Sequence, residues 1–212
     1  MTRARDGRTS RVVEPLFALW SRVYDAPVFQ RFYGHVHRRL LAAAPDRVEA
    51  ALDVGCGTGE LLLALARRYP TARLVGLDLS PAMLALARGK DYGLAAVELV
   101  EGSVYELPFA DGSFELVTST ISSHFYRDFP AAARELARVA APGAALVMAS
   151  LGNGPLRLLP GAAGREVHLG AMIHRSPRHQ RALLEGAGWE VERIESVVPA
   201  SWLYVARRAR AG

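Results

Sequence analysis

Cysteine is nearly absent from this chain: Cys56 is the single one among 212 residues. One thiol forms no internal disulfide, which excludes a small disulfide-stapled scaffold and suits a reducing, cytoplasmic setting. No stretch carries eighteen consecutive apolar residues, so no membrane-spanning helix is expected. The basic N-terminus, Met1-Thr-Arg-Ala-Arg-Asp-Gly-Arg8, lacks the apolar core of a secretion signal. Internal repeats and low-complexity blocks are missing, and no cysteine–histidine spacing suggests zinc. What abounds is apolar: half of the residues, enough for one full core and most simply one domain. The net charge of +5 is unevenly spread. Residues 1–40 hold eight arginines against Asp6, Glu14 and Asp25, the tail adds Arg207, Arg208 and Arg210, and the middle is mildly acidic. Basic ends of this kind are either solvated or meet an anionic surface.

The apolar pattern alternates strand with helix. Strands are expected at 49–54, 73–78, 96–101, 114–119 and 144–150, with helices at 60–69, 81–89 and 129–140. Such alternation implies an α/β fold, a doubly wound and mostly parallel sheet. Residues 151–176, with Pro155, Pro160 and five glycines, are expected to form a long loop. Helix 177–186 follows, then strands 189–198 and 202–206, whose short link requires antiparallel pairing. At the other end, Leu16, Phe17, Trp20, Val23 and Tyr24 fall at helical spacing, as do Val28, Phe29, Phe32, Tyr33, Val36 and Leu40 after Pro27. Residues 1–41 are therefore read as a basic tail with two helices placed before a main domain, 42–212.

Residues 51–59, Ala-Leu-Asp-Val-Gly-Cys-Gly-Thr-Gly, read as a buried strand running into a glycine turn ahead of a helix. Alternating glycines permit positive φ and bring backbone close to a ligand, and the helix N-terminus favours negative charge. The next strand ends in Asp78, about 20 residues on, where an acid can accept both hydroxyls of a ribose. A nucleoside ligand follows. The spacing, Gly-x-Gly-x-Gly at 55, 57 and 59, departs from the Gly-x-Gly-x-x-Gly of dinucleotide sites.

This turn resembles the first motif of the class I S-adenosylmethionine-dependent methyltransferases, of the quinone-biosynthesis and small-molecule type. Asp78-Leu-Ser-Pro-Ala-Met83, Pro108-Phe-Ala-Asp-Gly-Ser-Phe-Glu-Leu-Val117 and Arg134-Glu-Leu-Ala-Arg-Val-Ala-Ala-Pro-Gly143 resemble later motifs of the family, in order. The resemblance implies a Rossmann-like seven-stranded sheet with an antiparallel terminal strand, lid helices at the N-terminus, and S-adenosylmethionine as cofactor. It implies cofactor contacts from Asp53, Gly55, Cys56, Gly57 and Gly59, ribose binding by Asp78, and apolar walls for adenine at Leu79 and Met83. Ser103, with Val104, stands where the family usually has an acid for the adenine amino group. Tyr24, at the break between the helices, and Ser119 complete the expected contacts.

Methyl transfer needs alignment at a sulfonium and, for a hydroxyl or acidic carbon, a base. His124, after the fourth strand, is the candidate base; His35, His37, His168 and His174 rank behind it. Cys56 is read as structural, and no metal site is expected. The segment Ser119-Thr-Ile-Ser does not resemble the Asn/Asp-Pro-Pro-aromatic motif of DNA amino-methylation, so nucleic acid is not the expected acceptor. A small-molecule or lipid-like acceptor remains, with peripheral contact to an anionic membrane left open. The alternative is a nucleoside-binding regulatory or assembly domain that transfers nothing.

Overall fold

The computed structural model describes residues 27–153, 166–169 and 172–210, with side chains from residue 31 onward. Helix α1 (Pro27–Ala43) leads into β1 (Ala50–Val54), α2 (Glu60–Arg68), β2 (Arg73–Asp78), α3 (Pro81–Arg88) and β3 (Ala96–Glu101). Then come β4 (Phe114–Thr120), a 3-10 turn (Ser123–Phe125), α4 (Phe129–Val139) and β5 (Ala140–Leu151). A hairpin, β6 (Glu166–Leu169) and β7 (Met172–Arg175), precedes α5 (Pro177–Glu185), β8 (Trp189–Val198) and β9 (Ser201–Arg208). The expected first helix, with Tyr24, lies outside the described residues.

The main sheet has seven strands in the order β3-β2-β1-β4-β5-β9-β8. The first five run parallel, and β9 is antiparallel to both β5 and β8. The order reverses between β1 and β4, which puts their carboxyl ends at a topological switch point. The antiparallel C-terminal strand is present as expected, but it is inserted one place in from the rim. The turn Pro199-Ala200 explains this: Ala200 takes φ +64°, and its carbonyl accepts a bond from Gly152 N, which pins the β8–β9 hairpin tip to the end of β5.

Each face of the sheet buries one apolar layer. Leu52, Val75, Val117, Leu146 and Tyr204 meet α4 and α5 through Leu136, Ala133 and Leu184. Ala51, Leu74, Leu116 and Val147 meet α1 and α2 through Val36, Leu40, Leu62 and Leu65. Helix α1 is thus part of the second core. Val36 and Leu40 are fully buried, and Arg39 pairs with Glu195 on β8. The motif on α4 acts as a clamp: Glu135 accepts from Leu107 N, while Arg138 binds the Leu107 and Phe109 carbonyls and Asp111. It ties down the loop that feeds β4.

The expected loop at 151–176 contains the β6–β7 hairpin, joined in register Glu166 to Arg175. Four-residue strands amid glycine and proline leave too little periodicity to be seen in sequence, and tertiary contact holds them here: Arg175 Nη1 and Nη2 donate to the Ser123 and Tyr126 carbonyls. No described helix is long and apolar enough to cross a membrane.

Candidate functional site

The carboxyl ends of β1 and β4 and the N-terminus of α2 bound a cleft lined by Asp53, Gly55, Cys56, Thr58, Glu60, Leu61 and Thr120, with His37 of α1 across from them. Its floor is the glycine turn, where Gly55, Gly57 and Gly59 all have positive φ. Their reasons for being glycine differ. A Cβ on Gly55 would lie 2.6 Å from Ser122 Cβ, and one on Gly59 would collide with the Tyr92 hydroxyl. A Cβ on Gly57 would meet nothing within 4 Å. Gly55 and Gly59 are therefore small because protein packs on them, whereas Gly57 presents bare backbone to open space. Cys56 points inward instead, its Sγ lying 2.9 Å from where a Cβ on Gly76 would sit. Burial, with Asp53 and Asp78 nearby, pushes its thiol well above the ordinary range, so it is no nucleophile.

Two acids face this turn in different ways. Asp78 Oδ2 accepts from Gly57 N at 2.8 Å and Oδ1 from Ser80 N at 2.9 Å. It fixes the glycine turn to the end of β2 while keeping lone pairs for a further donor. Burial raises its pKa, and the backbone bonds oppose that rise. Asp53 is 2% exposed and its Oδ1 accepts from Thr118 Oγ1 at 2.9 Å. Burial raises its pKa to about 7; the Thr118 bond opposes the rise and Asp78 adds to it. An acid so poised gains from a cationic partner.

The other expected contacts divide. Leu79 is 37% exposed and Met83 is buried behind the N-cap of α3, where Ser80 Oγ accepts from Met83 N. Ser103 Oγ already accepts from Tyr105 N at 3.1 Å, so toward a ligand it is best placed to donate or to share its second lone pair. Val104 is buried in the first core. Ser119 Oγ bonds Ser122 Oγ at 2.7 Å, which bonds Tyr126 Oη at 2.9 Å and reaches the Val54 carbonyl. This hydroxyl chain braces the switch point from below.

His124 does not line the cleft. It is 4% exposed on the 3-10 turn, and burial, with His174 and Arg175 nearby, lowers its pKa to about 3. A histidine held that far down is a weak proton acceptor at neutral pH. His37 does line the cleft, and burial with the nearby Lys90 charge lowers its pKa to about 4. Thr120, not anticipated from sequence, places a buried Oγ1 there without a hydrogen-bond partner. Strand alternation from Thr118 was the signal that could have found it. The described residues hold no cluster of three or more metal-ligating side chains.

A family model for a methyltransferase domain matches residues 52–148, the span from the glycine turn to the end of β5. Over that span the chain is similar to methyltransferase domains. It is 41% identical over 169 residues to a malonyl-[acyl-carrier protein] O-methyltransferase of Halorhodospira halophila, covering 78% of this chain and 56% of that protein. To a demethylmenaquinone methyltransferase of Thermus thermophilus it is 36% identical over 137 residues, covering 64% and 61%. The chain therefore spans less than two thirds of either relative. A solved Haloferax volcanii methyltransferase, in complex with the Trm112 activator, superimposes with a TM-score of 0.77 at 21% identity, covering 92% of this chain and 98% of the other. Solved S-adenosylmethionine-dependent methyltransferases share the fold, and S-adenosylmethionine is the cofactor of the family. The cleft fits that group. Gly57 offers a cradle that a Cβ would fill, Thr120 an unsatisfied hydroxyl, and Asp53 a carboxyl that a cation would ionise.

Proposed function

We propose that the protein is an S-adenosylmethionine-dependent methyltransferase acting on a small-molecule or lipid-like acceptor. The observation that carries this is the open face of Gly57 between Asp53 and Asp78, at the switch point of the sheet. The cofactor supplies an electrophilic methyl group on a sulfonium; the protein supplies position and field. In this reading Asp78 accepts from the ribose, and Leu79 and Met83 wall the adenine beside Ser103. Gly55, Gly57 and Gly59 let backbone approach the chain that carries the sulfonium. Asp53 receives the cationic amino group, and Thr120 and His37 close the cleft at its methyl-bearing end. Tyr24 belongs to this set by sequence and lies outside the described residues.

Binding of S-adenosylmethionine and its demethylated product by calorimetry tests the reading. Transfer of labelled methyl to acyl and quinol acceptors follows. Micromolar binding with label transfer supports it, and absence of binding refutes it. A cytoplasmic setting fits a chain whose one thiol is buried. Contact of the basic N-terminal segment with anionic membrane would show as steeply salt-dependent vesicle binding.

A further inference from the structure

We propose that Arg175 is a positioning residue for the cofactor turn: from the β6–β7 hairpin it caps the 3-10 turn after β4 and so sets the glycine turn at Gly55. This rests on the methyltransferase reading. The Arg175 side chain is 2% exposed. Its Nε donates to Glu166 Oε1 at 2.9 Å, Nη1 to the Ser123 carbonyl at 3.3 Å and Nη2 to the Tyr126 carbonyl at 2.8 Å. The guanidinium also lies 5.0 Å from the centre of the Phe129 ring. Tyr126 ends the 3-10 turn, and the last carbonyls of a helical turn need donors from outside it. Burying a cation is costly, and an apolar side chain would fill the space without that cost if packing were the only demand. The planar fork of an arginine meets two carbonyls and a carboxylate at once, which a lysine ammonium does not.

Tyr126 carries the connection onward. Its carbonyl is held by Arg175, and its hydroxyl lies 2.9 Å from Ser122 Oγ and 3.4 Å from Ser119 Oγ. Burial pushes the phenol up to about 12, so it stays protonated at neutral pH. Ser122 Oγ donates to the Val54 carbonyl at 3.3 Å, and Ser122 Cβ stands 2.6 Å from where a Cβ on Gly55 would be. Ser122 and Tyr126 therefore hold the glycine turn from the β4 side. Leu77 and Asp78 hold it from the β2 side, accepting from Gly55 N, Cys56 N and Gly57 N. The β4 side is the strained one. Ile121 has φ +52°, left-handed backbone at a β-branched residue, which persists where the surroundings enforce it. Its N–H donates to the Ala149 carbonyl at 2.8 Å, and the Arg175 cap constrains the other end of the same turn.

The joint that carries the cap is separable from the main fold. Strands β6 and β7 form a two-stranded sheet of their own. It meets the end of β5 where Gly152 bridges Arg175 and where Asn153 N donates to the Arg175 carbonyl at 3.2 Å. Two four-residue strands have little stability alone, so this joint opens at lower free energy than the seven-stranded sheet. Main chain and side chain of Arg175 both lie on it. When it opens, the Ser123 and Tyr126 carbonyls lose their donor and Ser122 loses its fixed seat on Gly55. Cofactor affinity thus follows the cap, although Arg175 does not line the cleft.

The test reads S-adenosylhomocysteine affinity by calorimetry and, without ligand, amide hydrogen exchange. Arg175→Lys keeps a positive charge and loses the fork. We expect at least about fivefold weaker binding and at least about tenfold faster exchange at Ile121, with β1 and β2 unchanged. Tyr126→Phe should weaken binding to a similar degree. The double variant should bind no more weakly than the weaker single one, since both act through one connection. Should Arg175→Lys fail to fold, Glu166→Ala frees Nε from a partly exposed partner and should weaken binding about threefold. Glu166→Gln, which still accepts from Nε, should restore it. The role is overturned if a folded Arg175→Lys leaves affinity unchanged, if the two losses multiply in the double variant, or if Glu166→Ala binds normally. Exchange that quickens equally across β1 and β2 marks a purely structural residue and overturns it too. If the unaltered chain does not bind S-adenosylhomocysteine, the methyltransferase reading fails instead, and exchange at Ile121 still decides whether Arg175 holds the turn.

Discussion

The cleft under α1 and the buried polar cluster beyond β5 lie on either side of the end of β4, and they are built in opposite ways. In the cleft the polar frame is mostly satisfied by nearby backbone: Asp78 holds Gly57 N and Ser80 N, and the one orphaned hydroxyl is Thr120. The cluster beyond β5 is assembled from the 3-10 turn, β5, β7 and β9, and its orphaned atoms sit on residues as far apart as His124 and Tyr204. A site that must hold one invariant ligand is rigidified by local bonds. A cluster drawn from distant segments can change without disturbing the turn.

The comparison is broken most forcefully by deletion. Helix α1 gives His37 to the cleft, and it also puts Val36 and Leu40 in the second core. Removing residues 1–41 is expected to unfold the chain or lower its melting temperature sharply, whereas removing 1–26 spares those side chains. Leu40→Ala alone should cost about 2–5 kcal/mol in denaturant unfolding. A stable, cofactor-binding 42–212 fragment would show α1 to be a separable lid.

Next in size is Asp78→Ala, expected to weaken cofactor binding by about 3 kcal/mol or more by calorimetry. It should also lower the melting temperature, since Gly57 N and Ser80 N lose their acceptor. Gly57→Val should abolish binding by filling the cradle, with a smaller stability loss from its positive φ. Gly59→Ala should do the reverse, harming stability first because Tyr92 occupies the space.

Asp53 sharpens the comparison through pH. Its folded pKa of about 7 lies above that of the unfolded chain, so folding favours the protonated acid. Its contribution is fullest below the unfolded carboxylate pKa and is lost as pH rises to about 7, on the order of 2–4 kcal/mol. Asp53→Asn should flatten that slope in melts from pH 4 to 8 and keep the Thr118 bond. Cofactor binding near pH 7 should release a proton from the native protein and not from the variant, as calorimetry in buffers of different ionisation enthalpy would show.

The smallest effect is expected at Ser103→Asp. The new carboxylate can keep the turn bond from Tyr105 N and add charge toward the adenine amino group. Cofactor affinity should hold or rise; a tenfold loss, about 1.4 kcal/mol, would place adenine elsewhere.

Sequence by itself determined the sheet, its parallel core and the glycine turn, because each depends on short-range pattern. Strands β1 to β5 are apolar runs bounded by turn residues, and the positive φ at Gly57 is written in the residue type. Tertiary structure alone decided three things. It assigned separate reasons to three glycines that look alike, since Ser122 and Tyr92 come from elsewhere in the chain. It found a hairpin where glycine and proline suggested only loop, because four-residue strands are held by Arg175 and not by their own periodicity. And it moved His124 from a candidate base beside the cofactor to a buried, neutral ring stacked near His174: a side chain's environment is set by whatever packs on it, which neighbouring sequence does not encode.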